Sequence, residues 1–442
     1  MLIGIGASIY SGNRYDAAIS SANLAARFDA ALGITSSAGF ASAWADQSGN
    51  GRNLLQATGA NQPIHLAFAG TKYGWLPGVA GNYFSTPDSA AASITGDIDI
   101  RVKVALADWT PAVNTALVAK YFGTGNQRSY LLYIEASSGK LIFQVSNNGS
   151  AAIFPQSSTG MGFSDGTVGW VRATMDMDDG AGNRVTRFYK STDGETWTLI
   201  STDTTAGTYS LFNSTAPVEL GIIEASANPL SGKIYQAQIY NGIDGPLAVD
   251  FDPSRWTSGS TFTASTGETW TINSTGSKPA QIVDRPSLLF DGAAHYMKTA
   301  PFTLNQPETI FLVGKQVSWS ANARIFDGNA ENLGTLYQQP GTPKMSLYAG
   351  ATLADVSLAI GTTGVVATVI NGASSSIQVN QGAAVSGNAG SANLGGITLG
   401  ASGVAAGFGN IQTYELLAYS AALDAATRAN IIRALMSKHG AA

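Results

Sequence analysis

The chain has 442 residues, of which only 12% are charged, against roughly a quarter in ordinary soluble domains, so its surface must be built largely from Ser, Thr, Asn, Gln and Gly. A net charge of −5 argues against a polyanion as the main partner, since such binding needs a basic face, and disfavours nucleic acid. The absence of cysteine excludes disulfide frameworks, thiolate metal sites and cysteine nucleophiles, while 44% apolar residues supply enough core for two or three domains.

In chain order, Met1 to Gly6 lacks the basic start and long apolar run of a secretory signal, so none is expected. Residues 1–15, apolar and Gly-rich, read as an N-terminal arm, and Ala17 to Leu32 reads as a helix. The stretch Tyr73-Gly74-Trp75-Leu76-Pro77-Gly78 reads as a loop. From Ile98 to Val104 apolar and polar residues alternate with the period of two that marks a half-buried strand, as they do over Tyr130 to Glu135 and Lys140 to Val145. Gly169 to Met177 and Arg184 to Lys190 flank Asp178-Asp179-Gly180-Ala181-Gly182-Asn183, whose Gly, Asp and Asn residues suit a hairpin turn. Ala421 to His439 reads as a helix capped by Asp424 with an apolar stripe of Ile431, Ile432 and Leu435. No run is long and apolar enough to predict a membrane span.

An internal repeat organises these elements. Phe28-Asp29 precedes Pro63 at the same spacing with which Phe251-Asp252 precedes Pro286. Phe68-Ala69-Gly70 with Tyr83 then matches Phe290-Asp291-Gly292 with Tyr296. Both copies close alike, Val218-Glu219-Leu220-Gly221 leading to Tyr240 and Ile397-Thr398-Leu399-Gly400 to Tyr419. The expected division is an arm over 1–15, a first domain over 16–245, a linker at Gly242 to Pro246, and a second domain over 246–442. The second copy is shorter, and the surplus of the first is expected in its middle, as longer loops or an additional hairpin. So many strands with so few helices predict an all-β fold of two tandem β-sandwiches with a short C-terminal helix.

The run Trp44-Ala45-Asp46-Gln47-Ser48-Gly49-Asn50-Gly51, the stretch from Trp170-Val171-Arg172 to Asp193-Gly194-Glu195-Thr196-Trp197, and Gly232-Lys233-Ile234-Tyr235 to Tyr240 resemble concanavalin A-like, laminin-G-like jelly-roll domains. Low-charge, Gly/Ser/Thr-rich variants of this kind occur among structural proteins of tailed bacteriophages and gene transfer agents. The resemblance implies a virion structural protein of fibre, spike or decoration type, assembled in the bacterial cytoplasm and displayed on the virion surface. Its expected role is non-catalytic glycan binding or host adhesion. Its expected partners are other virion proteins, host surface polysaccharide of neutral character and further copies of itself as a homo-oligomer. The alternative is a purely structural spacer, and a glycan-degrading enzyme is disfavoured.

Gly162-Phe163-Ser164-Asp165-Gly166 matches a nucleophile elbow, but a strand rather than a helix is expected after it, so it reads as a turn. Asp97-Ile98-Asp99-Ile100-Arg101 resembles the acidic strand of laminarinase-type glucanases with Arg where a further carboxylate belongs, and reads as a solvated face. Asp176, Asp178 and Asp179 offer oxygen ligands, yet they read as turn residues; no metal, cofactor or catalytic residue is expected. His65, His295 and His439 are too scattered for a zinc site. Trp170 and Trp197 are expected in the core, whereas Trp75, with Tyr73, is the candidate for stacking on sugar.

Overall fold

The computed structural model describes residues 17–341 and 343–441; the expected N-terminal arm over 1–15 lies outside them. The described residues form antiparallel strands and one α-helix, none of it long and apolar enough as helix to cross a membrane. Strand spans follow the alternation in the sequence closely. Ile98–Leu106, Gln127–Ile134, Lys140–Val145, Gly169–Asp176 and Asn183–Ser191 are all strands.

Each copy of the repeat consists of a leading segment and a body. The leading strands are Leu24–Asp29, Ile34–Ser37, Phe40–Trp44, Leu54–Leu55 and Ile64–Leu66 in the first copy, and Leu247–Phe251, Thr261–Thr263, Thr269–Asn273 and Gln281–Val283 in the second. The second leading segment pairs with the first body: Phe251 lies opposite Ala237, Ile272 opposite Phe84, and Gln281 opposite Trp75. The first leading segment pairs with the second body: Phe28 lies opposite Leu416, Leu66 opposite Ser287, and Leu55 opposite Lys298. The compact units are therefore Thr71–Asp284, which is contiguous, and a discontinuous unit made of the chain up to Gly70 with Arg285–Ala442.

This corrects the expected domains 16–245 and 246–442. The repeat itself is real, but pairing across the sheet joins each leading segment to the body of the other copy. The matched prolines are not equivalent, since Pro286 precedes the strand Ser287–Asp291, which is the partner of the strand that follows Pro63. Pro77-Gly78 and Asp291-Gly292 occupy the corresponding turns, opposite Ser231 and Asn410. The expected helix over Ala17 to Leu32 is likewise a strand at Leu24–Asp29. Its alanines favour helix in isolation, but Ala26 and Phe28 are buried against the facing sheet, and packing overrides that preference.

In the contiguous unit a first sheet runs in the order Thr198–Ala206, Asn183–Ser191, Gly169–Asp176, Ile98–Leu106, Ser231–Asn241, Tyr73–Pro77 and Gln281–Val283. Its inward Val102, Val171 and Ile239 meet Phe84, Val118, Leu132, Phe143 and Trp270 from a second sheet in one core. The surplus of the first copy lengthens strands as well as loops: Asn183–Ser191 and Thr198–Ala206 have 9 residues each, where Ser375–Val379 has 5 and Val385–Gly387 has 3.

The discontinuous unit repeats the order, with Gly364–Ile370, Glu308–Gln316, Asn410–Tyr419, Ser287–Asp291 and Ile64–Leu66 side by side. Registers match residue for residue: Val102, Val171 and Ala237 correspond to Leu312, Val366 and Leu416. The C-terminal helix Ala425–His439 begins at Asp424, whose carboxylate accepts from the Thr427 amide at 2.9 Å. Ile431, Ile432 and Leu435 seal the outer face of this unit's sheet against Phe311, Val313, Val365, Leu417 and Tyr419.

A buried charge cluster ties helix, closing strand and leading segment together. Glu415, fully buried, accepts from Arg27 Nε at 3.1 Å and Lys438 Nζ at 2.7 Å and pairs with His439 Nε2 at 2.8 Å. Lys438 also reaches Asp29 at 2.6 Å. Burial by itself raises the Glu415 pKa, but the His439 hydrogen bond and the charges of Lys438, His439 and Arg27 prevail and bring it down to about 2.

Two outcomes are expected. Residues 71–284 expressed alone should melt cooperatively, while 246–442 should stay molten because it lacks Phe28, Trp44 and the edge partner of Glu415–Tyr419; a cooperative melt of 246–442 by circular dichroism would refute this division. The depressed Glu415 pKa means its stabilisation is fully present above its unfolded value near 4.5 and is lost as pH falls toward 2. Glu415→Gln should therefore flatten the acid limb of the stability curve measured by urea unfolding, with a loss of about 3 kcal/mol at neutral pH.

Candidate functional site

The outward positions of the first sheet in the contiguous unit carry Tyr73 and Trp75, Arg101 and Lys103, Trp170 and Arg172, Tyr189, and Lys233, Gln236, Gln238 and Tyr240. Alternation puts them there, because their neighbours Gly74, Leu76, Val102, Val171, Phe188, Ala237 and Ile239 point inward. Tyr73 and Trp75 thus lie on a strand, Tyr73–Pro77, and not in the expected loop. Gly74 made the run look irregular, but a Cβ there would sit 2.5 Å from the Phe84 ring, so glycine is what lets the sheets approach. Trp75 is half-buried, while Tyr73 is only 1% exposed beneath its neighbours.

Trp170 is buried as expected, but on the outer side of the sheet and not between the sheets, and Trp197 is only half-buried. The two meet edge to face with ring centres 6.2 Å apart. Trp197 is carried over the sheet by the turn after Ser191, where Asp193 accepts from the Glu195 and Thr196 amides at 2.9 and 2.8 Å. Those hydrogen bonds hold the Asp193 carboxyl well below the usual range. Gly194 adopts φ +83°, and a Cβ there would strike the Trp170 indole at 2.6 Å, so only glycine lets this turn close over Trp170.

One half of the face is neutralised internally. Asp99, with a fully buried side chain, accepts from Arg172 Nε at 2.9 Å and Nη2 at 2.7 Å and from Arg101 Nη2 at 2.6 Å. Asp244 closes the cluster through hydrogen bonds to both arginines. The two guanidiniums lie over aromatic rings, Arg101 4.4 Å from the centre of Tyr240 and Arg172 5.2 Å from that of Tyr189. The acidic pattern Asp97-Ile98-Asp99 is therefore structural, with Asp97 accepting from the Met177 amide at 2.8 Å.

The other half carries unbalanced cations. Lys233 Nζ lies 4.8 Å from the centre of Tyr73, and Lys103 Nζ lies 5.7 Å from Tyr235 and 5.9 Å from Trp170. Tyr235 and Tyr73 meet between them at a tilt of 48° with ring centres 5.4 Å apart. Among the described residues neither ammonium has a carboxylate partner within ion-pair distance. Burial pushes the Lys233 ammonium pKa down, the expected cost of desolvating a charge that nothing compensates.

The same positions in the second body are apolar. Phe311 and Val313 stand for Arg101 and Lys103, Val365 and Ala367 for Trp170 and Arg172, and Leu417 for Gln238. That face is covered by the C-terminal helix, whereas Trp75, Arg101, Lys103, Trp197, Lys233 and Tyr240 stay partly open to solvent. Lys103, Lys233, Tyr235 and Tyr240 were not named from the sequence as ligand candidates, although aligning the two copies strand by strand displays the difference.

The remaining candidates are turn and packing residues. Asp179 accepts from the Ala181 and Asn183 amides and from the Asn183 side chain, and Asp178 from the Gly180 amide. Gly162 to Gly166 is a turn followed by the strand Gly169–Asp176, with Asp165 accepting from the Trp109 amide. His65 pairs with Ser36, His295 with Asp291 and His439 with Glu415.

No family model and no curated relative matches the sequence. Among solved structures the chain is similar to the CBM40 of Ruminococcus gnavus IT-sialidase bound to alpha2,3 sialyllactose, with 15% identity over 40% of this chain and 94% of that one and a TM-score of 0.31. It is also similar to domains LG4-5 of the mouse laminin alpha1 chain, with 11% identity over 81% of this chain and 92% of that one and a TM-score of 0.32. A SAP-like pentraxin from Limulus polyphemus matches with 12% identity over 40% of this chain and 79% of that one, at a TM-score of 0.29.

The two halves of the face should respond differently to substitution. Arg172→Ala strands the buried Asp99 carboxylate beside a single guanidinium and should cost about 3 kcal/mol in denaturant unfolding. Trp75→Ala, at a half-exposed position, should cost no more than about 1 kcal/mol. Equal losses would show that Trp75 is a packing residue.

Proposed function

We propose that the aromatic face of Thr71–Asp284 binds a carboxylate-bearing glycan without catalysis, as the adhesion surface of a virion protein of fibre, spike or decoration type. The observation that carries this reading is the contrast between the two copies. One scaffold, in the same register, is apolar and sealed by a helix in one unit and aromatic, cationic and partly open in the other. Aromatic rings accept the C–H faces of pyranoses, while Gln236 and Gln238 offer hydrogen-bonding groups to hydroxyls. Lys103 and Lys233 supply the cations that a carboxylate would pair with, which favours an acidic sugar over the neutral polysaccharide suggested by composition.

Catalysis is not part of the proposal. Glycoside hydrolysis uses a pair of carboxyl groups at the scissile bond, and Asp99, the buried carboxylate of this face, has its oxygens occupied by Arg172 and Arg101. The low-charge, Ser- and Thr-rich surface supports display on a virion among other virion proteins, after assembly in the bacterial cytoplasm and facing host polysaccharide. The helix-covered unit would serve as the spacer.

Binding to a uronic- or sialic-acid-containing polysaccharide and to a neutral glucan, measured by calorimetry, tests the reading. The acidic polymer should bind and weaken with added salt. Trp75→Ala and the double variant Lys103→Gln/Lys233→Gln should each lose at least about tenfold in affinity, roughly 1.4 kcal/mol. Preference for the neutral glucan would overturn the ligand class, and absence of binding across a glycan panel would leave the spacer role alone.

A further inference from the structure

We propose that the leading segment up to Gly70 is a donor that can complete the Arg285–Ala442 body of a second copy of this chain, so that copies join by segment exchange. The strand Asn410–Tyr419 pairs along one edge with Glu308–Gln316. On its other edge Ser287–Asp291 covers only Asn410 to Thr413, and Leu24–Asp29 covers the stretch from Glu415 to Tyr419. Without the donor that stretch is an open edge beside a core missing Phe28 and Trp44, both fully buried in the complete unit.

The pairing is coded by charge. By register, Arg27 corresponds to Asp250 and Glu415 to Gln236. The second leading segment, placed on the second body, would set Asp250 against buried Glu415. The first leading segment, placed on the first body, would leave Arg27 beside Gln236 without its carboxylate. Glu415, Lys438 and His439 thus accept the donor that carries Arg27 and Asp29.

The first body needs no distant donor, because its leading strand Leu247–Phe251 follows Ser231–Asn241 directly through a short turn. The second body must recruit one from the other end of the chain. The donor is joined to it only through the whole of Thr71–Asp284, and a donor from another copy brings the same strands and the same buried groups. Closure within one chain and donation between chains differ only in effective concentration, which is the condition for exchanged oligomers.

Isotope-labelled and unlabelled full-length chains, unfolded together and refolded over a range of concentrations, test this by native mass spectrometry. Mixed-label oligomers should grow with chain concentration during refolding and persist on later dilution. Refolding to single chains at every concentration, or to oligomers that separate as soon as they are diluted, would overturn the proposal. A second arm refolds the Arg27→Glu chain with the Glu415→Lys chain. Each alone has a damaged joint, but together the sound donor of one meets the sound acceptor of the other, and a 1:1 hetero-oligomer is expected. Its absence, with either variant still forming oligomers alone, would show that this joint is not the one used.

Discussion

A strand edge bordering a hydrophobic core has to be paired, because buried amide and carbonyl groups without partners cost more than most side-chain contacts return. Each body of this chain ends on a long strand whose outer edge the body itself covers only in part. The leading segments exist to finish those edges. Each also carries a tryptophan into the core, Trp44 and Trp270, whose indole N–H groups bond to the carbonyls of Asp29 and Asp250 at 3.0 and 2.8 Å. The plug and the edge strand arrive as one piece. This requirement explains why two leading segments are present and why neither body is a complete sandwich alone.

Once the edges are finished, the two units have the same strand order, and chemistry is left to the positions pointing outward. In the discontinuous unit these are Phe311, Val313, Val365 and Leu417, and they need a cover, which the helix from Ala425 provides. In the contiguous unit the same positions hold Arg, Lys, Trp and Gln. Such a face has less apolar area to gain from a helix, and it stays partly open to solvent. Most of its groups stand on paired strands, so their geometry is set in advance by the ladder, with Asp99 and Asp244 fixing the two arginines, while Trp197 rides on a turn that Asp193 fixes.

What was legible in the sequence was whatever is decided locally. Asp424 caps a helix three residues before Thr427, and Ile431, Ile432 and Leu435 share one helical face; both features are visible within a few turns. The alternation that marks Ile98–Leu106 is equally local. The strand at Leu24–Asp29 is not, because its alanines favour helix and only Leu416 and Tyr419, far along the chain, make it a strand. The expected domain division failed for the same reason, since the actual one rests on strand pairings between distant parts of the chain, with Arg27 and Glu415, 388 residues apart, joined across one of them. Tyr73 and Trp75 were read as loop residues but lie on a strand, and the lysines beside them were hidden by period two, which makes this face look like any solvated one.

The placement of the two units in the chain also orders their formation. Thr71–Asp284 contains all its strands in sequence and can close as soon as it is complete, whereas the discontinuous unit cannot close until Lys438 and His439 are present. Until then the strands of the leading segment are unpaired, and the other body accepts strands of the same shape. That body offers Gln236 where Arg27 requires Glu415, and it receives Leu247–Phe251 through a short turn at once. Local closure and the missing carboxylate together keep the donor free for the acceptor that arrives last. The buried cluster around Glu415 therefore distinguishes the two leading segments by charge as well as stabilising the one it holds.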